Sequence, residues 1–329
     1  MPLSRLSRIT TTIALAASAS LIARTAPAQD YPTRPIRVVV AFAAGGTTDF
    51  VARLLADRMK GLLGQSVIID NKPGANGAIA AENVAKSEPD GYSLFLTTVG
   101  AVAINPSLRS DLPYRPSRDF VPVGLVVRNT TVLAVNPGLG VNSAHELVAL
   151  ARDKPGAITM AVTGVGAISH LGLELFQSAA GAKFQYVPYR GAAQALTDLL
   201  GGQVNGIFAD VPVMLSQIKA GKLKVLGATS AVRSDLLPDV PTLVELGFAD
   251  TVAENWQGVL APAATPPAIV AKLNGAFVTA VNDPDVRRKL ADNGVTASPS
   301  SADEFGELIR SETARWAKVI RDKGIKPES

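Results

Sequence analysis

An α/β protein is predicted by three features of the sequence. Short apolar runs rich in Val and Ile alternate with longer segments whose apolar residues recur at helical spacing. Glycine-rich loops stand where such runs give way to helices. The 329 residues are 47% hydrophobic but only 5% aromatic, which suits two modest domains with aliphatic cores. Strands separated by helices imply βαβ units and a mainly parallel sheet.

The first residues stand outside this pattern. Arg5 and Arg8 precede the apolar stretch "ITTTIALAASASLIA" (9–23), and "APA" (26–28) fits a cleavage site. The apolar run is short for a membrane span, which needs about 20 residues. Export with cleavage near Ala28 is expected. Without residues 1–28, which hold three arginines and no acid, 29 basic residues face 28 acidic ones. No basic stripe marks a nucleic-acid surface.

The elements follow in order. "IRVVVAF" (36–42) is a buried strand, and from Asp49 the residues Val51, Leu54, Leu55, Met59, Leu62 and Leu63 trace a helix. "SVIID" (66–70) is a second strand. "NKPGANG" (71–77) reads as a turn with no obvious chemistry, opening a helix through about Lys86. "EPDGYSLFLTT" (88–98) is a turn and a third strand. The middle repeats the layout: strand 130–137, capped helix 143–155, strand–glycine loop–helix 157–176, strand 184–191, a helix from Ala192, then strands 204–210 and 223–230. "VPTLVELGF" (240–248) reads as a short helix behind a proline. "ENWQGVLAPAATPP" (254–267) is extended, with Trp256 a packing anchor or a hinge reporter. A helix follows from Ala268, and 301–324 opens with a capping box, Ser301 and Glu304. These last helices need a sheet to cover, and the N-terminal one is unfinished.

Two loops attract chemistry. "AAGGTTD" (43–49) closes the first strand, at the sheet edge where open α/β folds bind ligands. Gly45 and Gly46 allow close backbone approach, and the following helix offers free N–H groups to a carboxylate or phosphate. A plain tight turn is the other reading. No Lys-Ser/Thr follows, so it is not a P-loop, and no G-x-G-x-x-G is present. "TGVGAISH" (163–170) is a second such loop, able to face the first across a cleft. Ser169 is not a nucleophile elbow, since Ala167 and Leu171 flank it where glycines should stand. His170 reads as a helix-start histidine. In "VPYRG" (187–191), Arg190 is a carboxylate clamp or a surface arginine. Asp210, at a strand end, orients water or a ligand donor, or is a solvated acid. There is no cysteine, and His145 and His170 are the only histidines. With no paired carboxylates and no H-E-x-x-H or EF-hand loop, binding is favoured over catalysis.

Several motifs lie in register along the chain after the leader: "YPTRPIRVVVAFAAGGTTDFVAR", "VIIDNKPGANGAIAAENVAKSEPDGYSLFL", "TGVGAISHLGLELF", "VPYRGAAQALTDLLGGQV", "LPDVPTLVELG" and "NWQGVLAPAATPP". Together they resemble the Bug family, the TctC-like extracytoplasmic solute-binding receptors of tripartite tricarboxylate transporters. The resemblance implies a type II periplasmic-binding-protein fold, with two α/β lobes and a ligand cleft between them. The lobes would be 29–130 plus 256–329, and 131–255, with crossings near 129–134 and 252–258. It implies a periplasmic, monomeric receptor that is not an enzyme and needs no cofactor or metal. Its ligand would be a small carboxylate: an amino acid, a di- or tricarboxylate, or an aromatic acid. Its partners would be permease subunits in the membrane. Carried over position by position, the first lobe contributes Phe42, Gly45, Gly46, Thr47, Asp49, Thr97 and Thr98. The second contributes Thr163, Gly166, Ala167, His170, Tyr189, Arg190 and Asp210. Relatives often carry Pro where this chain has Ala44, and Ser or Thr where it has Ala167. The latter removes a hydroxyl and favours a ligand with an apolar or aromatic body. The rival readings are an orphan sensory receptor for the same ligands and an exported α/β hydrolase dependent on His145 or His170.

Overall fold

β1 (Ile36–Val40) has β-branched residues at four of its five positions, and those four side chains are buried. The computed structural model describes residues 31–326, and from Arg34 onward the chain forms one compact unit. The apolar leader and its expected cleavage near Ala28 lie outside the described residues. α1 (Thr47–Leu63) begins two residues before the expected Asp49, with Gly46 as its N-cap, and buries Val51, Leu55, Met59 and Leu63. Each such side chain stabilises the fold by about 1.5–3 kcal/mol on burial. β2 (Val67–Asn71) and β3 (Ser93–Thr98) flank β1 in parallel, with α2 (Ala78–Ala85) between them. A π-helical turn (Gly100–Ile104), α3 (Asn105–Leu108) and α4 (Pro116–Asp119) lead to the long β4 (Phe120–Asn129).

One residue, Thr130, separates β4 from β5 (Thr131–Val135), which lies in a different sheet. α5 (Ala144–Asp153) is capped by Ser143, whose side chain accepts from the Glu146 N–H. β6 (Thr159–Val162), α6 (Ile168–Ala180), β7 (Gln185–Pro188), α7 (Ala192–Leu200), β8 (Gly206–Asp210), α8 (Val211–Lys219) and β9 (Lys224–Ala228) follow. The chain then returns through β10 (Asn255–Pro262), α9 (Pro267–Asn282), α10 (Pro284–Asp292), β11 (Val295–Ala297) and α11 (Ala302–Lys323). The Ser301–Glu304 capping box of α11 is present, with both reciprocal bonds made.

Each of the two lobes is built on one sheet. The first orders its strands β11-β4-β10-β3-β1-β2, the second β7-β6-β8-β5-β9. In each, the strand that precedes a glycine loop (β1, β6) sits between two parallel neighbours. The sheets are not mainly parallel, as the alternation of elements implied. β10 runs antiparallel to both β3 and β4, and β5 antiparallel to both β8 and β9. The cause is connectivity. A strand that arrives from the other lobe is not delivered by a βαβ crossover, so nothing forces it parallel.

The C-terminal helices do cover the N-terminal sheet. Phe305 of α11 meets Trp256 of β10 edge to face, with centroids 5.4 Å apart. Trp256 is 1% exposed and is therefore a packing anchor. The helix expected at 240–248 is absent. Thr242 and Glu245 exchange capping bonds, but Gly247 turns left-handed (φ +87°) and ends the structure after one turn. Across the lobes, Ile168 and Leu171 of α6 share one buried cluster with Ala101, Leu108 and Trp316.

Candidate functional site

A cavity of about 230 Å³ lies between the two glycine loops. Its walls are assembled from four helix N-termini. Phe42, Gly46, Thr47 and Thr48 come from the start of α1, and Thr163, Ile168 and Ser169 from the start of α6. Arg190 to Gln194 open α7, while Asp210 and Val213 come from the start of α8. None of the four has a side chain capping its first turn. The N-caps of α1, α6 and α7 are Gly46, Ala167 and Gly191, which have no side-chain acceptor to offer. At α1, α6 and α7 first-turn N–H groups and the positive dipole ends are left available to the cavity, an arrangement suited to an anion, whereas at α8 the Val211 N–H donates to the Thr130 carbonyl and Pro212 has none to offer.

The first loop is braced from behind. Asp49 is 4% exposed and accepts from the Gly45 N–H (3.0 Å), Arg53 Nε (3.0 Å) and Asn71 Nδ2 (3.0 Å). Burial pushes the Asp49 carboxyl up, but Arg53, Gly45 and Asn71 together outweigh it and hold the group below the usual carboxylate range. Asn71 also donates to the Phe42 carbonyl (3.0 Å). Gly45 (φ +85°) adopts the left-handed turn that this bracing requires. Both residues shape the loop from outside the cavity wall. The Thr47 hydroxyl, buried on that wall, has no protein partner.

The second loop is braced in the same manner. Ser169 Oγ accepts from the Thr163 N–H and lies 2.9 Å from Thr163 Oγ1. His170 Nδ1 accepts from the Gly166 N–H (3.2 Å), so the imidazole proton sits on Nε2, which points toward Glu174 at 3.6 Å. Burial lowers the His170 pKa to about 4, and the ring packs on Tyr186 at 4.6 Å. His170 is a neutral prop behind the loop. Tyr189 donates to Asp198 (2.7 Å), with its pKa pushed to about 12 by burial and then by that carboxylate. It ties the strand end to α7.

Asp210 lies where both sheets meet. Its carboxylate accepts from Thr131 Oγ1 (2.8 Å), Asn255 Nδ2 (2.7 Å) and Asn129 Nδ2 (3.4 Å). Burial raises its pKa despite these three neutral donors. Oδ1 of Asn129 and Oδ1 of Asn255 are buried without a partner.

Of the residues singled out in the sequence, Phe42, Gly46, Thr47, Thr163, Arg190 and Asp210 line the cavity. Gly45, Asp49, Gly166, Ala167, His170 and Tyr189 stand behind the loops. Thr97 and Thr98 are buried in β3, paired with Gly258 and Gln257 of β10. Sequence reasoning missed the N-terminus of α7 and Asn255. The first had a signal, a strand end followed by "GAAQ", in the pattern of the other two loops. Asn255 had none, because it reaches the cavity from a distant strand. Among the described residues no group of three metal-ligating side chains occurs, and no helix is long and apolar enough to cross a membrane.

A sequence profile for the "Tripartite tricarboxylate transporter family receptor" matches residues 51–325. Protein BugT of Bordetella pertussis is 37% identical over 322 residues, covering 98% of this chain and 99% of that protein. Among solved structures, R. palustris Rpa4515 with adipate aligns with a TM-score of 0.87 at 36% identity, covering 91% of this chain and all of that one. MatC (Rpa3494) from Rhodopseudomonas palustris with bound malate aligns with a TM-score of 0.84 at 32% identity, covering 88% and 100%.

Proposed function

Because the chain belongs to the tripartite tricarboxylate transporter receptor family, we propose that its cavity captures a small carboxylate and presents it, enclosed between the lobes, to membrane permease subunits. The observation that carries this is the convergence of four helix N-termini, none capped by a side chain, on one cavity. Arg190 adds the one full positive charge on that wall. The volume is below the roughly 300–1,000 Å³ of pockets for drug-sized ligands, and so suits a metabolite. The adipate and malate bound to the two relatives make a dicarboxylate the first candidate, ahead of amino acids and aromatic acids.

Phe42, Gly46, Thr47, Thr163, Arg190 and Asp210 are the proposed contacts, joined by Thr48, Ser169, Gly191 to Gln194 and Asn255. Gly45, Asp49, Gly166, Ala167, His170 and Tyr189 belong to or brace the loops, and Thr97 and Thr98 lie within β3. Ala167 takes a new role in this reading. As the N-cap of α6 it has no hydroxyl to occupy the first-turn N–H groups, which leaves them for the ligand. The proposed lobes are 29–130 plus 256–329, and 131–255, in a periplasmic protein cleaved near Ala28. Ligand contacts to both lobes favour the enclosed arrangement by population shift. Three or four charge-assisted hydrogen bonds at about 1.5–3 kcal/mol each, less the cost of closure, lead to roughly micromolar affinity.

A receptor without catalysis fits the histidines. His170 Nδ1 is engaged by the Gly166 N–H and Ser169 by Thr163, so these two do not form a base–nucleophile pair. A thermal-shift screen against a carboxylate panel tests the reading, since ligand binding to the native state raises the melting temperature by mass action. Stabilisation by neutral sugars alone, with none from adipate, malate or their homologues, would overturn it.

A further inference from the structure

The segment "NKPGANG", a bare turn in the sequence, holds Asn76 in the left-handed region (φ +50°, ψ +43°). Its side chain leaves the first lobe. Nδ2 donates to the carbonyl of Gly166, in the second glycine loop, at 2.8 Å, and to Asn105 Oδ1 at 3.1 Å. Asn105 is fully buried, and its own Nδ2 donates to the carbonyls of Ala75 (3.3 Å) and Asn76 (3.2 Å). It therefore grips the backbone that aims Asn76. Tyr114, buried beside it, donates its hydroxyl to the Ala101 carbonyl (2.6 Å).

Gly166 is thus held through both of its flanking peptide groups, its N–H by His170 of its own lobe and its carbonyl by Asn76 of the other. Two glycines make room for the arrangement. A Cβ on Gly100 would fall 2.5 Å from Asn76 Oδ1 and 2.6 Å from Nδ2, and a Cβ on Gly166 would fall 2.4 Å from Leu108 Cδ2. Asn76 itself is not on the cavity wall.

We propose that Asn76 is a positioning residue for ligand capture: its bond across the lobes to the Gly166 carbonyl holds the loop that aims Thr163 and the α6 N-terminus into the cavity. The proposal rests on the receptor reading of that cavity. Its physical content is pre-organisation. A loop fastened before the ligand arrives loses less conformational freedom on binding. Because the bond spans the lobes, parting them releases the loop, and loop order and lobe closure become one equilibrium.

Three variants isolate the bond. Asn76→Gly keeps the left-handed backbone and deletes the amide. Gly100→Ala leaves Asn76 in the sequence and pushes its amide aside. The third is the double variant. Without any ligand, hydrogen–deuterium exchange over residues 163–170 is expected to rise several-fold in each single variant, and no further in the double, since both remove one bond. With adipate as probe, the dissociation rate is expected to rise about two- to tenfold, the range that one net hydrogen bond gives. A lower melting temperature with unchanged exchange at 163–170 and an unchanged adipate off-rate would reduce Asn76 to a structural residue and overturn the proposal. If wild-type protein binds no carboxylate, the receptor reading fails, and the ligand-free exchange still decides whether Asn76 holds the loop.

Discussion

Arg190 and Asp210 line the same cavity, yet they form no ion pair. Asp210 is engaged by Thr131, Asn129 and Asn255, all neutral, and Arg190 is exposed. A cation left unpaired at the wall of a cavity built of helix N-termini is available to an incoming anion. Arg190→Ala should weaken carboxylate binding by about 1.5–3 kcal/mol, or roughly 10- to 150-fold in Kd. Isothermal titration at two salt concentrations checks this, and the wild type should show the steeper salt dependence. Equal affinities would remove Arg190 from the site.

Asp210 should make the protein's stability and its ligand affinity depend on pH. Burial raises its native pKa above the unfolded value of about 3.9. The folded state therefore holds the proton more tightly. The associated stability is fully present below the unfolded pKa and is lost as pH rises through the native one. Asp210→Asn removes this loss, so its advantage in melting temperature over the wild type should grow from pH 4 toward pH 7. It also removes a negative charge from an anion site, so the wild type should bind carboxylates more tightly at lower pH and the variant should not. A stability difference that is flat with pH would contradict the assignment.

His170 works in the opposite sense. Its native pKa is lowered to about 4 by burial, so its neutral form contributes stability that is present above the unfolded value of about 6.5 and lost as pH falls through the native one. The full effect is on the order of 3 kcal/mol. NMR titration should find the His170 ring neutral at pH 6. An imidazolium at His170 at pH 6 would exclude the prop role.

Gly46→Val should abolish binding and leave the fold intact. The Gly46 backbone (φ −88°, ψ 174°) is one that any residue adopts, and the nearest atom to an added Cβ is the Ala43 carbonyl oxygen at 3.7 Å. The side chain therefore fits its own lobe and intrudes on the cavity. Titration with the best carboxylate, beside a melting curve, separates the two effects. Retained affinity would move the site away from this loop.

Gly258→Ala should cost stability without touching the cavity. A Cβ there would fall 2.1 Å from Phe305 Cζ, forcing the ring and α11 away from β10. Overpacking of this kind costs about 1–3 kcal/mol, and urea unfolding would measure it. Affinity should be unchanged once the protein is folded.

Local structure was legible wherever its cause was local. The apolar stripe of α1, the capping box at Ser301 and Glu304, and the strand–glycine loop–helix joints at 43–49 and 163–170 all depend on residues a few positions apart. The short helix at 240–248 misled because Thr242 and Glu245 form a true start signal, and Gly247 stops the helix one turn later. The parallel character of the sheets was overestimated because β5 and β10 take their direction from where the chain re-enters a lobe.

The sequence by itself determined the α/β alternation, the two glycine loops and the residues able to offer free N–H groups to an anion, since these follow from side-chain type and short-range spacing. Only the tertiary structure decided which of those residues reach the cavity. Gly45, Asp49, Gly166, His170 and Tyr189 turned inward to hold loops, while Asn255 and the α7 N-terminus came in from elsewhere. It also converted "NKPGANG" from a turn into a contact with Gly166, ninety residues away. The physical reason is that a hydrogen bond across a cleft depends on how two lobes pack. No local period or spacing in the chain encodes that.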